Sequence, residues 1–133
     1  MYELISVLIA DDEKLVRNTI KAVIPWQLGV DTVYEAEDGL KALELSKRVS
    51  PSIIISDIKM PHMNGMDFAY AIRRLLPDSK LVFFSAYTDK EYLKGAIHLQ
   101  VDGYIEKPLD PEEITQLIAS LVKSVKQNQA ATN

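Results

Sequence analysis

With 133 residues, 47% of them apolar and 26% charged, the chain has room for one globular domain with a substantial core. It contains no Cys, which excludes a disulfide framework and a thiolate zinc site, and its two His, His62 and His98, argue against a histidine-based metal site. A net charge of −4 argues against nucleic-acid binding by this stretch on its own, because phosphate contacts need a basic face.

The opening residues, Met1-Tyr2-Glu3-Leu4, lack the basic-then-apolar layout of a signal peptide, and no later apolar run approaches membrane-spanning length. The expected setting is cytoplasmic, with no membrane partner. Ile5 to Ala10 is a short apolar run, a buried strand that stops at Asp11-Asp12-Glu13. Helical spacing follows, with Leu15, Val16, Ile20, Val23 and Ile24 on one face until Pro25 stops it. Thr32 to Ala36 alternates and predicts a more exposed strand. Asp38-Gly39 then turns into a second helix carrying Leu40, Leu43 and Val49, ended by Ser50-Pro51. Ile53-Ile54-Ile55-Ser56-Asp57 is the clearest strand: an uninterrupted β-branched run of the kind buried on both faces of a parallel sheet, ending on a carboxylate.

Beyond the loop from Met60 to Gly65, where His62 reads as a loop residue, Phe68, Ala69, Ile72, Leu75 and Leu76 mark a third helix. Leu81 to Phe84 is a fourth strand, ending on Ser85. Thr88 and Glu91 have the spacing of a capping box, but the helix behind it is poorly anchored: Leu93, Ala96 and Ile97 are its apolar residues, Gly95 weakens it, and His98 marks its end. Gly103-Tyr104-Ile105 is a fifth strand leading to Lys107-Pro108. In the last helix Asp110 is the cap, Pro111 the first position, and Ile114, Leu117, Ile118, Leu121, Val122 and Val125 the apolar face. Residues 1–126 make the domain; 127–133 are polar and unpatterned, a flexible tail or the start of a linker.

Five strands alternating with five helices predict an α/β fold with a parallel sheet covered on both faces, since parallel strands need crossover connections. In such a sheet every strand's carboxyl end reaches the same rim, where ligands collect. Taken in order, those ends are Asp11 and Asp12, Asp57, Ser85 and Lys107. Each residue alone has an ordinary role, as a helix cap, a strand-end hydroxyl or a solvated charge. Together they are harder to dismiss. Clustered carboxylates repel unless a cation neutralises them, and an all-oxygen set suits Mg²⁺. Ser85 and Lys107 are then placed to hold the oxygens of a transferring phosphoryl group.

Asp11-Asp12, Asp57-Ile58-Lys59-Met60-Pro61, Gly65, Ser85-Ala86 and Lys107-Pro108, in this order, resemble the receiver domains of two-component response regulators, from about Ile5 to Val125. The resemblance implies a flavodoxin-like, CheY-like sheet of strand order 2-1-3-4-5 and a cis Lys107-Pro108 bond. It further implies that Asp57 is the phosphoacceptor for a sensor histidine kinase. Asp12, Asp57 and the Lys59 backbone carbonyl would bind Mg²⁺ directly, with Asp11 acting through water. Ser85 and Lys107 would contact the phosphoryl group, and Ser85 and Tyr104 would form the switch. Lys59 and Tyr87 would flank the path of an attacking water. Such a domain is not a turnover enzyme, although it promotes its own phosphorylation and dephosphorylation. Its usual output is homodimerisation through the face of the fourth helix, fifth strand and fifth helix. Pro25-Trp26-Gln27-Leu28-Gly29 resembles receivers attached to AraC-type DNA-binding domains, so DNA would be reached, and transcription controlled, only through a further C-terminal domain.

Two rival readings share parts of this pattern. A Mg²⁺-dependent phosphatase with an aspartyl nucleophile resembles Asp-x-Asp enzymes, but Lys59 stands where the second Asp is needed. A flavin-binding electron carrier needs a hydroxyl- and glycine-rich phosphate loop after the first strand, where Asp11-Asp12-Glu13 would repel phosphate.

Overall fold

The computed structural model describes residues 4–86 and 91–132; Tyr87 and Thr88, and with them the predicted capping box, lie outside the described residues. The elements run β1 (Ile5–Ala10), α1 (Lys14–Ala22), a 3₁₀ turn (Trp26–Leu28), β2 (Val30–Ala36), α2 (Gly39–Val49), β3 (Ile53–Asp57), α3 (Gly65–Leu75), β4 (Lys80–Ser85), α4 (Leu93–His98), β5 (Gly103–Glu106) and α5 (Pro111–Thr132).

All four strand pairings are parallel, in the order β2-β1-β3-β4-β5. The sequence explains who sits at the centre. β1 and β3 are buried at every position, as continuous apolar runs require, whereas β2 at one edge is fully buried only at its two ends. Alternate residues of each strand feed two cores. Val7, Ile9, Ile53 and Ile55 join α1 and α5 on one face through Ile20, Ile114, Ile118 and Val122. Leu8, Ile54, Leu81 and Phe83 join α2, α3 and α4 on the other through Ala42, Phe68, Ile72 and Ala96.

Several helical apolar residues face outward instead of into these cores. Leu15, predicted on the inner face of α1, is 77% exposed, and Leu40, Leu75, Leu93 and Ile97 are also exposed. In α2 the buried residues are Gly39, Ala42 and Ser46, because small side chains let the helix lie close to the sheet. α5 remains helical to Thr132, past the last large apolar residue Val125, where the sequence pattern predicts an unpatterned tail or linker. Gln and Ala are good helix formers, and no Gly or Pro follows Pro111 to stop the helix.

Candidate functional site

Parallel pairing brings the carboxyl ends of β1, β3, β4 and β5 to one rim. Asp11 directly follows β1, Asp57 ends β3, Ser85 ends β4 and Lys107 directly follows β5. The sequence-predicted set therefore converges. Asp11, Asp12 and Asp57 each bring a carboxylate oxygen within 4.8 Å of the others. Asp11 and Asp57 are buried and Asp12 is exposed, so the cluster has a solvent-facing side.

The hydrogen bonds divide the work within this cluster. Asp11 Oδ1 accepts from the Glu13 N–H at 2.7 Å, and Asp57 Oδ1 accepts from the Ile58 N–H at 2.7 Å. The Lys107 ammonium donates to Asp57 Oδ2 at 3.2 Å and stands 4.0 Å from Asp11 Oδ2, beyond hydrogen-bond reach. Lys107 also lies 5.3 Å over the centre of the Phe84 ring, a cation–π contact that steadies the ammonium at the rim. The Lys107-Pro108 bond is cis, as the resemblance implies.

Asp11 Oδ2 is buried and has no hydrogen-bond partner. Burial pushes the Asp11 carboxyl up to about 7; the Glu13 N–H and the Lys107 ammonium oppose the rise, and the charges of Asp57 and Asp12 add to it. A buried, unpartnered carboxylate oxygen beside two more carboxylates fits a hard divalent cation, which takes oxygen ligands and cancels the repulsion. Asp11, Asp12 and Asp57 are the residues that could hold it.

The loop after β3 is shaped by glycine and asparagine. Gly65 N–H donates to the Ile58 carbonyl at 2.6 Å, and a Cβ at Gly65 would lie 2.1 Å from the Asp57 carbonyl oxygen, so no other residue fits. Asn64 caps α3 by accepting from the Asp67 N–H at 2.9 Å. Ser85 is fully buried, and its Oγ is 2.6 Å from the Tyr104 Oη. The two residues singled out as a switch pair are thus in direct contact, hydroxyl to hydroxyl.

Residues 7–119 match the family model for the response regulator receiver domain. The chain belongs to that family. The receiver domain is similar to the REC domain of AraT, a response regulator from Geobacillus stearothermophilus, with a TM-score of 0.89 and 36% identity over 96% of this chain and 99% of that one. It is also similar to a two-component transcriptional regulator from Clostridium phytofermentans, with a TM-score of 0.85 and 37% identity over 96% and 98% of the two chains. Among curated relatives, the transcriptional regulatory protein HptR of Staphylococcus aureus is 36% identical over 94% of this chain and 49% of its own length. The receiver domain spans about half the length of the curated relatives it matches. Among the described residues no helix is long and apolar enough to cross a membrane.

Two contacts at this site carry no signal in the sequence. Arg17 Nη1 donates to the Asp11 carbonyl at 2.7 Å while its Nε bonds to Glu35 at 3.1 Å, gripping the β1–α1 turn from behind. His62 Nδ1 lies 3.1 Å from Asp38 Oδ2. The Arg17–Glu35 and His62–Asp38 pairs are 18 and 24 residues apart in sequence, so no local spacing announces them.

Proposed function

We propose that the receiver domain is a phosphorylation-controlled switch whose phosphoacceptor is Asp57. One Asp57 carboxylate oxygen attacks the phosphorus of a phosphohistidine on a sensor histidine kinase. The phosphorus–nitrogen bond breaks, an aspartyl phosphate forms, and the imidazole leaves with a proton. Asp12, Asp57 and the Lys59 backbone carbonyl would hold Mg²⁺, with Asp11 acting through water. When bound, the ion supplies positive charge that screens the carboxylates and the phosphoryl oxygens. Lys107, already bonded to Asp57 Oδ2 at 3.2 Å, stays beside the acceptor as its charge grows. Ser85 turns its hydroxyl from Tyr104 to a phosphoryl oxygen, and the freed Tyr104 ring moves toward the space vacated.

The observation that carries this reading is the convergence of Asp11, Asp12 and Asp57 on one rim with Lys107 hydrogen-bonded to Asp57. It acts as a switch and not as a turnover enzyme. Its output is homodimerisation through the face of α4, β5 and α5, with DNA reached through a further domain. The names of its relatives as transcriptional regulators support the last step.

Incubation with Mg²⁺ and acetyl phosphate is expected to add one phosphoryl mass by intact mass spectrometry. Asp57→Asn abolishes the addition, and Asp12→Ala lowers Mg²⁺ affinity and labelling together. Labelling that survives Asp57→Asn refutes the assignment.

A further inference from the structure

The loop between β3 and α3, residues 58–64, is tied down at both ends. Gly65 closes onto Asp57 and Ile58, as described above. Toward α2, the Met63 carbonyl lies so near Gly39 that a Cβ there would be 2.0 Å from its oxygen. Beside this contact His62 takes a φ of 67°, uncommon for a residue other than glycine, in a tight turn closed by the Met63 N–H on the Pro61 carbonyl at 2.7 Å. Its Nδ1 reaches Asp38 Oδ2 at 3.1 Å. Asp38 is 3% exposed, and its Oδ1 already accepts the Lys41 N–H at 2.8 Å as the cap of α2. A hydrogen bond from the Lys41 N–H holds the Asp38 carboxyl below the usual carboxylate range; burial opposes this and His62 adds to it. Asp38 is therefore ionised and accepts only, so the His62 Nδ1 carries the proton that it donates.

This turn carries the exposed imidazole to the buried Asp38 carboxylate. Between His62 and Lys59 stand only Met60, which is buried, and Pro61, whose ring fixes φ. A displacement at His62 is therefore passed along a short, stiff segment to Lys59.

We propose that His62 is a positioning residue: its bond to Asp38 straps the β3–α3 loop to the start of α2 and so sets the position of the Lys59 carbonyl relative to the acidic cluster. This rests on the reading of that cluster as a Mg²⁺ site. Removing such an outer support costs metal affinity without touching a ligand.

The test is calorimetric titration of Mg²⁺ into the chain and its variants, with urea unfolding of each metal-free protein alongside. Wild type is titrated first: a chain that takes up no Mg²⁺ brings down the metal reading, and the proposal with it. With wild-type binding established, His62→Ala is expected to raise the Kd about tenfold. His62→Gly, which removes the bond and relieves the left-handed backbone, should weaken binding equally. His62→Asn tolerates that backbone and offers Asp38 an N–H donor, so it should restore wild-type affinity. An Ala variant that binds normally overturns the proposal, and so does an Asn variant as weak as Ala. A normal Gly variant beside a weak Ala variant also overturns it, because strain and not the lost bond would then be the cause.

Discussion

Asp11 carries the largest electrostatic tension of any single residue at the rim. Its carboxyl is buried, one oxygen lacks a partner, and burial raises its pKa from 3.8 to about 7. The folded chain therefore holds the proton more tightly than the unfolded chain does. The stability this provides is fully present below about pH 3.8 and is lost as pH rises through about 7. Asp11→Asn in the presence of a chelator should raise stability above neutral pH and flatten its pH dependence between those limits, by urea unfolding across the range. The Asn amide keeps the oxygen that accepts the Glu13 N–H and drops the charge. An unchanged profile would show that the Asp11 carboxylate is already compensated.

Among the elements, α4 is held unevenly. Among the described residues no side chain caps its start, and Leu93 and Ile97 are exposed. A Cβ at Gly95 would run into the flexible end of the Met66 side chain. Its far end is clamped: Arg73 donates to the Leu99, Gln100 and Ser79 carbonyls at 3.0, 2.9 and 2.8 Å and also reaches Asp102. A helix anchored at one end moves by swinging about that end. Phosphorylation should then change amide exchange across residues 91–107, most strongly at 91–97 and least at 99–102, because local opening follows the weakest contacts. Exchange that is unchanged throughout would sink the switch described for Ser85 and Tyr104. Arg73→Ala should erase the contrast between the two ends.

For the molecule as a whole, α4, one of the elements of the face proposed for dimerisation, carries exposed apolar side chains. Leu93 is 43% exposed and Ile97 68%. A ligand shifts an equilibrium only through its differential affinity for the two states, so the phosphoryl group must favour an arrangement in which this face is the better partner. Phosphorylation with acetyl phosphate and Mg²⁺ is expected to shift sedimentation from monomer to dimer. Ile97→Asp should block the shift while leaving the added phosphoryl mass intact, since Ile97 is outside the acceptor site. A dimer that persists in this variant would place the interface elsewhere.

The order of the strands' apolar runs and the residues that end them were legible along the chain. A β-branched run such as Ile53–Ile55 has to be buried on both faces, and a parallel sheet takes every such run's carboxyl end to one rim. Asp11, Asp57, Ser85 and Lys107 could therefore be named together before any contact was known. The helices were less legible. Periodicity alone does not say which of two candidate faces wins, and Leu15 and Leu40 lost to neighbours better placed against the sheet. What only the tertiary structure decided is whatever depends on pairs distant in sequence. The Ser85–Tyr104 contact, the Arg17–Glu35 ion pair and the His62–Asp38 strap each join different elements. The orphaned oxygen of Asp11 is of the same kind, since burial and the lack of a partner are properties of surroundings assembled from several strands. A sequence determines its local patterns by the chemistry of adjacent residues. Distances of a few ångströms between remote side chains exist only once the sheet has closed.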